Sequence, residues 1–61
     1  MKKEYTFIIY YDSYRQFKIT CVNYDYCKML ADTFVNEVIS KERLWKIERY
    51  YGNLIMADEE Q

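Results

Sequence analysis

The chain has 61 residues, of which 51% are hydrophobic and 31% are charged. This length allows one domain over residues 1–61 with a small core, and the hydrophobic content excludes a disordered chain. Nine basic and ten acidic side chains give a formal net charge of -1, which excludes the strongly basic surface of a general nucleic-acid binder.

The first predicted element is a strand from Tyr5 to Tyr11 that carries large apolar or aromatic side chains on both faces. Alternation sends Tyr5, Phe7, Ile9 and Tyr11 to one side and Thr6, Ile8 and Tyr10 to the other. A strand with one face in water would show a polar residue at every second position, and only Thr6 fits that pattern. We therefore expect this strand in the interior of a sheet.

A second strand is predicted from Gln16 to Val22, after a turn at residues 12–15. Its inward side chains are Phe17, Ile19 and Cys21, whereas Lys18 and Thr20 face outward, as in an outer strand. Directly opposed residues share a face, so Ile9 should pair with Phe17 or with Ile19. The loop between the strands should then have about three or five residues.

A helix is predicted from about Tyr24 to Ser40, with Asn23 as its N-cap. The helical period places one broad apolar stripe toward the core, formed by Cys27, Leu30, Ala31, Phe34, Val35 and Val38. Tyr26 and Met29 fall on the polar side, three residues apart. They are either a small contact site for a partner or two ordinary exposed residues.

A third strand is predicted from Leu44 to Tyr51, followed by a two-residue turn at Gly52-Asn53 and a short fourth strand from Leu54 to Ala57. In the third strand we expect Trp45, Ile47, Arg49 and Tyr51 to face the core, and Leu44, Lys46, Glu48 and Tyr50 to face away from it. Residues 58–61 are predicted to form a solvated acidic tail.

These elements predict a small α+β fold with the order β-β-α-β-β. A right-handed crossover carries the helix over the sheet and brings the third strand to the free edge of the first. The resulting sheet of three or four strands has the order 2-1-3-4, with the helix packed on one face. The other face has no predicted cover.

Groups suited to catalysis are scarce in this composition. The chain has no histidine, which removes the usual general base near neutral pH and the commonest metal ligand. Its only glycine, Gly52, cannot build a glycine-rich phosphate loop. We therefore expect a protein that is not an enzyme and that uses no cofactor and no metal.

The two cysteines deserve separate consideration, because both are predicted to face the core. Cys21 closes the second strand and Cys27 lies one turn into the helix, so the two thiols should be near each other. Two reduced core thiols, a disulfide and a metal site are all compatible with this placement. A zinc site usually requires four Cys or His ligands, and this chain has two cysteines.

The uncovered sheet face is the best candidate for a functional surface. Aromatic and apolar side chains among charged ones are typical of protein interfaces, and tyrosine offers a large contact area with few rotatable bonds. The partner-binding residues predicted on the sheet are Ile8, Tyr10, Leu44, Tyr50 and Ile55, to which the helix adds Tyr26 and Met29. The alternative is a tyrosine-rich sheet that merely tolerates water on one side.

Lys, Ile, Tyr and Asn, whose codons are AT-rich, are well represented in the chain. In this composition, in its length and in its lack of active-site chemistry, the chain resembles small anti-defence proteins of phages and mobile elements, such as anti-CRISPR inhibitors. The resemblance implies a non-catalytic inhibitor that binds a host enzyme or complex and occludes its surface. It rests on no motif, and no functional residue is transferred from it.

Two other functions remain open at this point. Aromatic side chains on an open sheet could stack the bases of single-stranded nucleic acid, although an RNP-type motif is missing. The chain could also be the subunit of a structural homodimer. No apolar run resembles a signal peptide or a membrane span, so we expect a cytoplasmic protein of a bacterial host cell.

Overall fold

The computed structural model describes residues 3–56, which form one four-stranded sheet with a helical segment across one face. The strands are β1 (Tyr5–Tyr11), β2 (Arg15–Cys21), β3 (Leu44–Tyr51) and β4 (Leu54–Ile55). An α-helix, α1 (Tyr24–Phe34), continues into a π-helical turn (Val35–Ile39), and a 3-10 turn (Lys41–Arg43) leads into β3. The acidic tail predicted for residues 58–61 and the predicted strand end at Ala57 lie outside the described residues.

The sheet order is β2-β1-β3-β4, and every pair of neighbouring strands is antiparallel. This confirms the predicted α+β fold and the interior position of β1. At the far edge, Leu54 lies opposite Tyr51 and Ile55 opposite Tyr50, as expected from the turn at Gly52-Asn53. Gly52 takes a φ of 64°, which a residue without Cβ adopts without strain.

The hairpin of β1 and β2 has one of the two registers predicted from the sequence. Ile9 lies opposite Phe17, and Tyr11 lies opposite Arg15, so the loop consists of residues 12–14. Strand β2 begins and ends one residue earlier than predicted, which leaves Val22 outside it and 59% exposed. The guanidinium of Arg43 donates to both carboxylate oxygens of Asp12, at 2.9 and 2.6 Å, and thereby fastens the loop to the 3-10 turn.

A β-bulge in β3 reverses part of the predicted face assignment. Ile9 pairs with Ile47 and Tyr10 with Lys46, but Tyr11 pairs with Leu44, so the extra residue Trp45 interrupts the alternation. The prediction for the first two residues of β3 was therefore wrong. Leu44 packs against the core and Trp45 is 63% exposed. One inserted residue interrupts the alternation, so the side chains before it point to the face opposite to the one predicted.

The helical segment begins as predicted and ends differently. The side chain of Asn23 accepts a hydrogen bond from the backbone N–H of Tyr26 at 2.9 Å, which confirms the N-cap. The buried positions follow a spacing of four residues: Cys27, Ala31, Val35 and Ile39. Val38, predicted to be in the core, is 60% exposed, because the wider π turn rotates Ile39 into that position instead.

The core lies between the helical segment and the odd-numbered side chains of β1 and β2. Its buried members are Phe7, Ile9, Ile19, Cys27, Ala31, Val35 and Ile39. Helix α1 packs on β1 and β2, and the ring of Phe17 stacks on that of Phe34 with centroids 4.2 Å apart. Within residues 3–56, no helical turn lies over the opposite face of the sheet, so only one face is covered.

Candidate interaction surface

The uncovered side of the sheet, here called the open face, is built by alternate residues of all four strands. Its side chains are Thr6, Ile8 and Tyr10 of β1, Gln16, Lys18 and Thr20 of β2, Lys46, Glu48 and Tyr50 of β3, and Ile55 of β4. Ile8 lies at its centre, with Lys18 opposite on one side and Glu48 on the other. Thr6 contacts Thr20 through the two hydroxyls, 3.3 Å apart.

The carboxylate of Glu48 joins the two tyrosines of the open face. The hydroxyl of Tyr10 donates to Oε1 of Glu48 at 2.8 Å, and the hydroxyl of Tyr50 donates to the same oxygen at 3.2 Å. The ammonium of Lys46 lies 3.4 Å from Oε2 of Glu48 and 5.0 Å from the centroid of the Tyr10 ring. Both phenol groups are therefore held in place before any partner arrives.

The same contacts shift the pKa values of Glu48, Tyr10 and Tyr50. The hydrogen bond from Tyr10, supported by the Lys46 ammonium, holds the pKa of Glu48 below its ordinary value. In return, the hydrogen bond to Glu48 raises the pKa of Tyr10. Partial desolvation, and then the charge of Glu48, raise the pKa of Tyr50. Near neutral pH the open face therefore presents one carboxylate capped by two neutral phenols.

The structure brings four of the seven predicted partner-binding residues onto one surface. Ile8, Tyr10 and Tyr50 are half-buried there, and Ile55 is 73% exposed at the edge. Leu44 does not join them, because the bulge turns it toward the helix.

Tyr26 and Met29 are exposed on α1, at 53% and 52%. They lie on the helix, which covers the other face of the sheet, so they form a separate exposed pair and no part of the open face.

The sequence did not reveal the structural role of Glu48. Alternation places Lys46 and Glu48 correctly on the open face, but it assigns them only as charged surroundings of an aromatic and apolar patch. The cross-strand register was the signal that could have shown more, since it brings Tyr10 opposite Lys46 and next to Glu48. Trp45 was missed as an exposed aromatic side chain, because alternation alone placed it in the core.

Apart from the open face, the structure has a cleft between the helical segment and β3. This cleft has a volume of about 340 Å³ and is lined by Asp32, Val35, Asn36, Lys41, Leu44 and Ile47. Its walls mix apolar and charged groups and include no hydroxyl or thiol nucleophile. The cleft provides a place for a side chain of a partner, but it has no evident chemistry of its own.

No group of three or more Cys, Asp or Glu side chains in residues 3–56 is arranged to hold a metal ion. No helix in that part of the chain has the length and apolar character needed to cross a membrane. Comparison of the chain with protein-family models, with curated proteins and with solved structures found no match.

Proposed function

We propose that this chain is a non-catalytic module that binds another protein through its open face. The observation that carries the proposal is the pair Tyr10 and Tyr50, whose hydroxyls are both anchored on Glu48 in the middle of an uncovered sheet. The resemblance to phage-encoded anti-defence proteins extends the proposal: the partner is a host defence enzyme, and binding inhibits it by occluding part of its surface.

Pre-arranged tyrosines favour binding because they lower its entropic cost. A side chain that must be immobilised on association costs on the order of 0.5–1.5 kcal/mol. Tyr10 and Tyr50 are already restrained by hydrogen bonds, and Lys46 packs on one of the rings. Their rings thus supply contact area at a small additional loss of freedom.

The composition and size of the open face also suit an interface. Ile8 is an apolar residue at the centre of the open face and Ile55 one at its edge, and Lys18, Lys46 and Thr20 are their polar neighbours. Apolar and polar side chains are mixed in this way in protein interfaces. A standard interface buries about 800 Å² on each partner, roughly a sixth of the 4845 Å² surface of this molecule. One face of a small sheet can supply an area of that order.

Nucleic-acid binding by base stacking receives less support from the same geometry. The Lys46 ammonium already occupies a position over the Tyr10 ring, 5.0 Å from its centroid. Glu48 places a negative charge between the two tyrosines, where a phosphate backbone would pass.

A homodimer through the open face uses the same surface as the leading proposal and differs only in the partner.

The test is affinity capture from a lysate of the host bacterium with the tagged full chain, followed by reconstitution with the purified captured protein. Tyr10→Lys/Tyr50→Lys and, separately, Ile55→Lys should reduce capture at least about tenfold, since hot-spot changes commonly exceed 1.4 kcal/mol. Tyr14→Lys is the matched control, because Tyr14 is 87% exposed in the β1–β2 loop, away from the open face.

Circular dichroism must show that each variant is folded. Equal capture of the same protein by the folded double variant and by the wild type would refute the proposal. Light scattering of the purified chain distinguishes a homodimer, and titration with single-stranded oligonucleotides at low salt distinguishes nucleic-acid binding.

A further inference from the structure

Two thiols meet where the end of β2 passes beneath the first turn of α1. Cys27 is completely buried, and its Sγ lies 3.6 Å from the carbonyl oxygen of Ile19 and 3.8 Å from that of Tyr5. Cys21 pairs directly with Tyr5 across the sheet and is half-buried. Cys21, which lies opposite Tyr5 and two residues after Ile19, is therefore a neighbour of the two carbonyl groups that surround the Cys27 sulfur.

The backbone places both cysteines on the covered side of the sheet. Cys21 belongs to the odd-numbered set of β2, which faces the helix together with Ile19. Cys27 is the first of the buried helical positions that meet this set. A disulfide needs Cβ atoms about 3.5–4.5 Å apart. Cys21 and the Cys27 sulfur both lie beside Tyr5 and Ile19 on the same side of the sheet, which places the two side chains as neighbours.

We propose that Cys21 and Cys27 form a reversible disulfide site, oxidised by exchange with a low-molecular-weight disulfide of the glutathione type. The Cys21 thiolate attacks one sulfur of the small disulfide, which forms a mixed disulfide and releases one small thiolate. Cys27 then loses its proton and attacks the Cys21 sulfur, which releases the second small thiolate. The protein loses two electrons and two protons, and the small disulfide becomes two thiols.

The order of these two steps follows from the difference in exposure. Burial, reinforced by the neighbouring Cys21, raises the pKa of Cys27 to about 11, so Cys27 is a neutral thiol near neutral pH. Cys21 is the thiol that solvent reaches, and it therefore reacts first. Cys27, which lies beside Cys21 on the covered side of the sheet, then attacks the activated sulfur.

The bond would fasten the beginning of α1 to the last residue of β2. It lies on the covered side of the sheet, so it leaves the open face unchanged. Oxidation should therefore raise the resistance of the chain to unfolding without abolishing partner binding. Formation of this disulfide does not depend on the binding function proposed for the open face.

The full-length chain is incubated with reduced and oxidised glutathione at a series of ratios and quenched in acid. It is then unfolded in guanidinium chloride near neutral pH with excess N-ethylmaleimide, so that the buried Cys27 thiol is also alkylated. In oxidising mixtures, intact-mass spectrometry should show a species lighter by two hydrogen atoms that takes up no maleimide, whereas the reduced chain takes up two. Peptide mapping should join Cys21 to Cys27. In Cys27→Ala the reaction should stop at one glutathione on Cys21, and in Cys21→Ser adduct formation should be slower by at least about tenfold.

A wild-type chain that stays folded in the most oxidising mixture and keeps both thiols would overturn the proposal. So would a disulfide that forms only in urea, or only between two chains. Circular dichroism on the wild type makes these outcomes decisive even if a cysteine variant fails to fold.

Discussion

At the scale of single residues, the main finding is that one carboxylate organises the open face. Strand alternation predicts that Tyr10, Glu48 and Tyr50 share a face, but alternation does not bring their polar ends together. The bonds of 2.8 and 3.2 Å to one oxygen of Glu48 depend on the register between β1 and β3. Substitution of Glu48 should therefore change both the ionisation of its neighbours and the acid sensitivity of the fold.

We predict that Glu48→Gln weakens the dependence of stability on acid pH. The folded-state pKa of Glu48 is lowered from 4.5, so its stabilising contribution is present above 4.5 and is lost as the pH falls through the lowered value. The measurement is the urea midpoint near neutral pH and at a series of acid pH values below 4.5. The fall of the midpoint on acidification should be smaller in Glu48→Gln than in the wild type.

Part of the acid sensitivity should persist in that variant, because Arg43 lowers the pKa of Asp12, and backbone and Ser40 hydrogen bonds lower that of Glu42. The control is Glu37→Gln, which changes an exposed carboxylate in the π turn. An equal drop in Glu48→Gln and the wild type would contradict the role assigned to Glu48.

At the scale of secondary-structure elements, the junction between the helical segment and β3 carries local strain. Ser40 has φ 63° and ψ 160°, a conformation that is otherwise almost restricted to glycine. Its hydroxyl donates to the carboxylate of Glu42 at 3.0 Å, which supports the 3-10 turn that follows. The chain thus reverses direction at a residue that is not the natural choice for that backbone.

We predict that Ser40→Gly is more stable than Ser40→Ala by about 1 kcal/mol. Both substitutions remove the hydroxyl, so the comparison isolates the cost of a Cβ at positive φ from the loss of the hydrogen bond to Glu42. Chemical denaturation followed by tryptophan fluorescence measures the difference. An alanine variant as stable as the glycine variant would show that the backbone at Ser40 is not strained.

The boundaries of the elements show where sequence patterns stop being sufficient. Period-two alternation identified β1, β2 and β3, and the Asn23 cap identified the start of α1, because these signals lie in neighbouring residues. The bulge at Trp45 adds one residue to the alternation of β3. The π turn before Ser40 is wider than an α-helical turn and therefore rotates the side chains at its end. Composition does not change at either point, so Leu44 and Val38 were assigned to the wrong sides.

At the scale of the whole molecule, the sheet has one face covered by the helical segment and one open face, and β1 contributes side chains to both. Ile9 is completely buried under the helix, whereas its neighbour Ile8 points to the open face and is half-buried. The two residues are chemically identical and adjacent in β1. Substituting each of them in turn therefore separates the contribution of the core to stability from the contribution of the open face to partner binding.

We predict that Ile9→Ala destabilises the fold by about 2–5 kcal/mol, because it leaves a cavity in a close-packed core. A domain of this size has a total stability of roughly 3–9 kcal/mol, so a large part of the variant should be unfolded. Ile8→Ala should cost about 1 kcal/mol or less and should weaken partner binding. Urea denaturation and the capture experiment measure the two effects, and similar losses of stability in both variants would contradict the two-faced description.

The amino-acid sequence by itself determined the number and order of the elements, the sheet order 2-1-3-4 and the placement of Ile8, Tyr10, Tyr50 and Ile55 on one face. It limited the partner of Ile9 to Phe17 or Ile19, and the structure selects Phe17. These features follow from alternation, caps and turns, which act between residues close in the chain. Only the tertiary structure decided that Glu48 holds both tyrosines and that the Cys27 thiol lies against the carbonyl groups of Tyr5 and Ile19, beside Cys21. Such contacts depend on cross-strand register and on how the helix seats on the sheet, which distant parts of the chain set together.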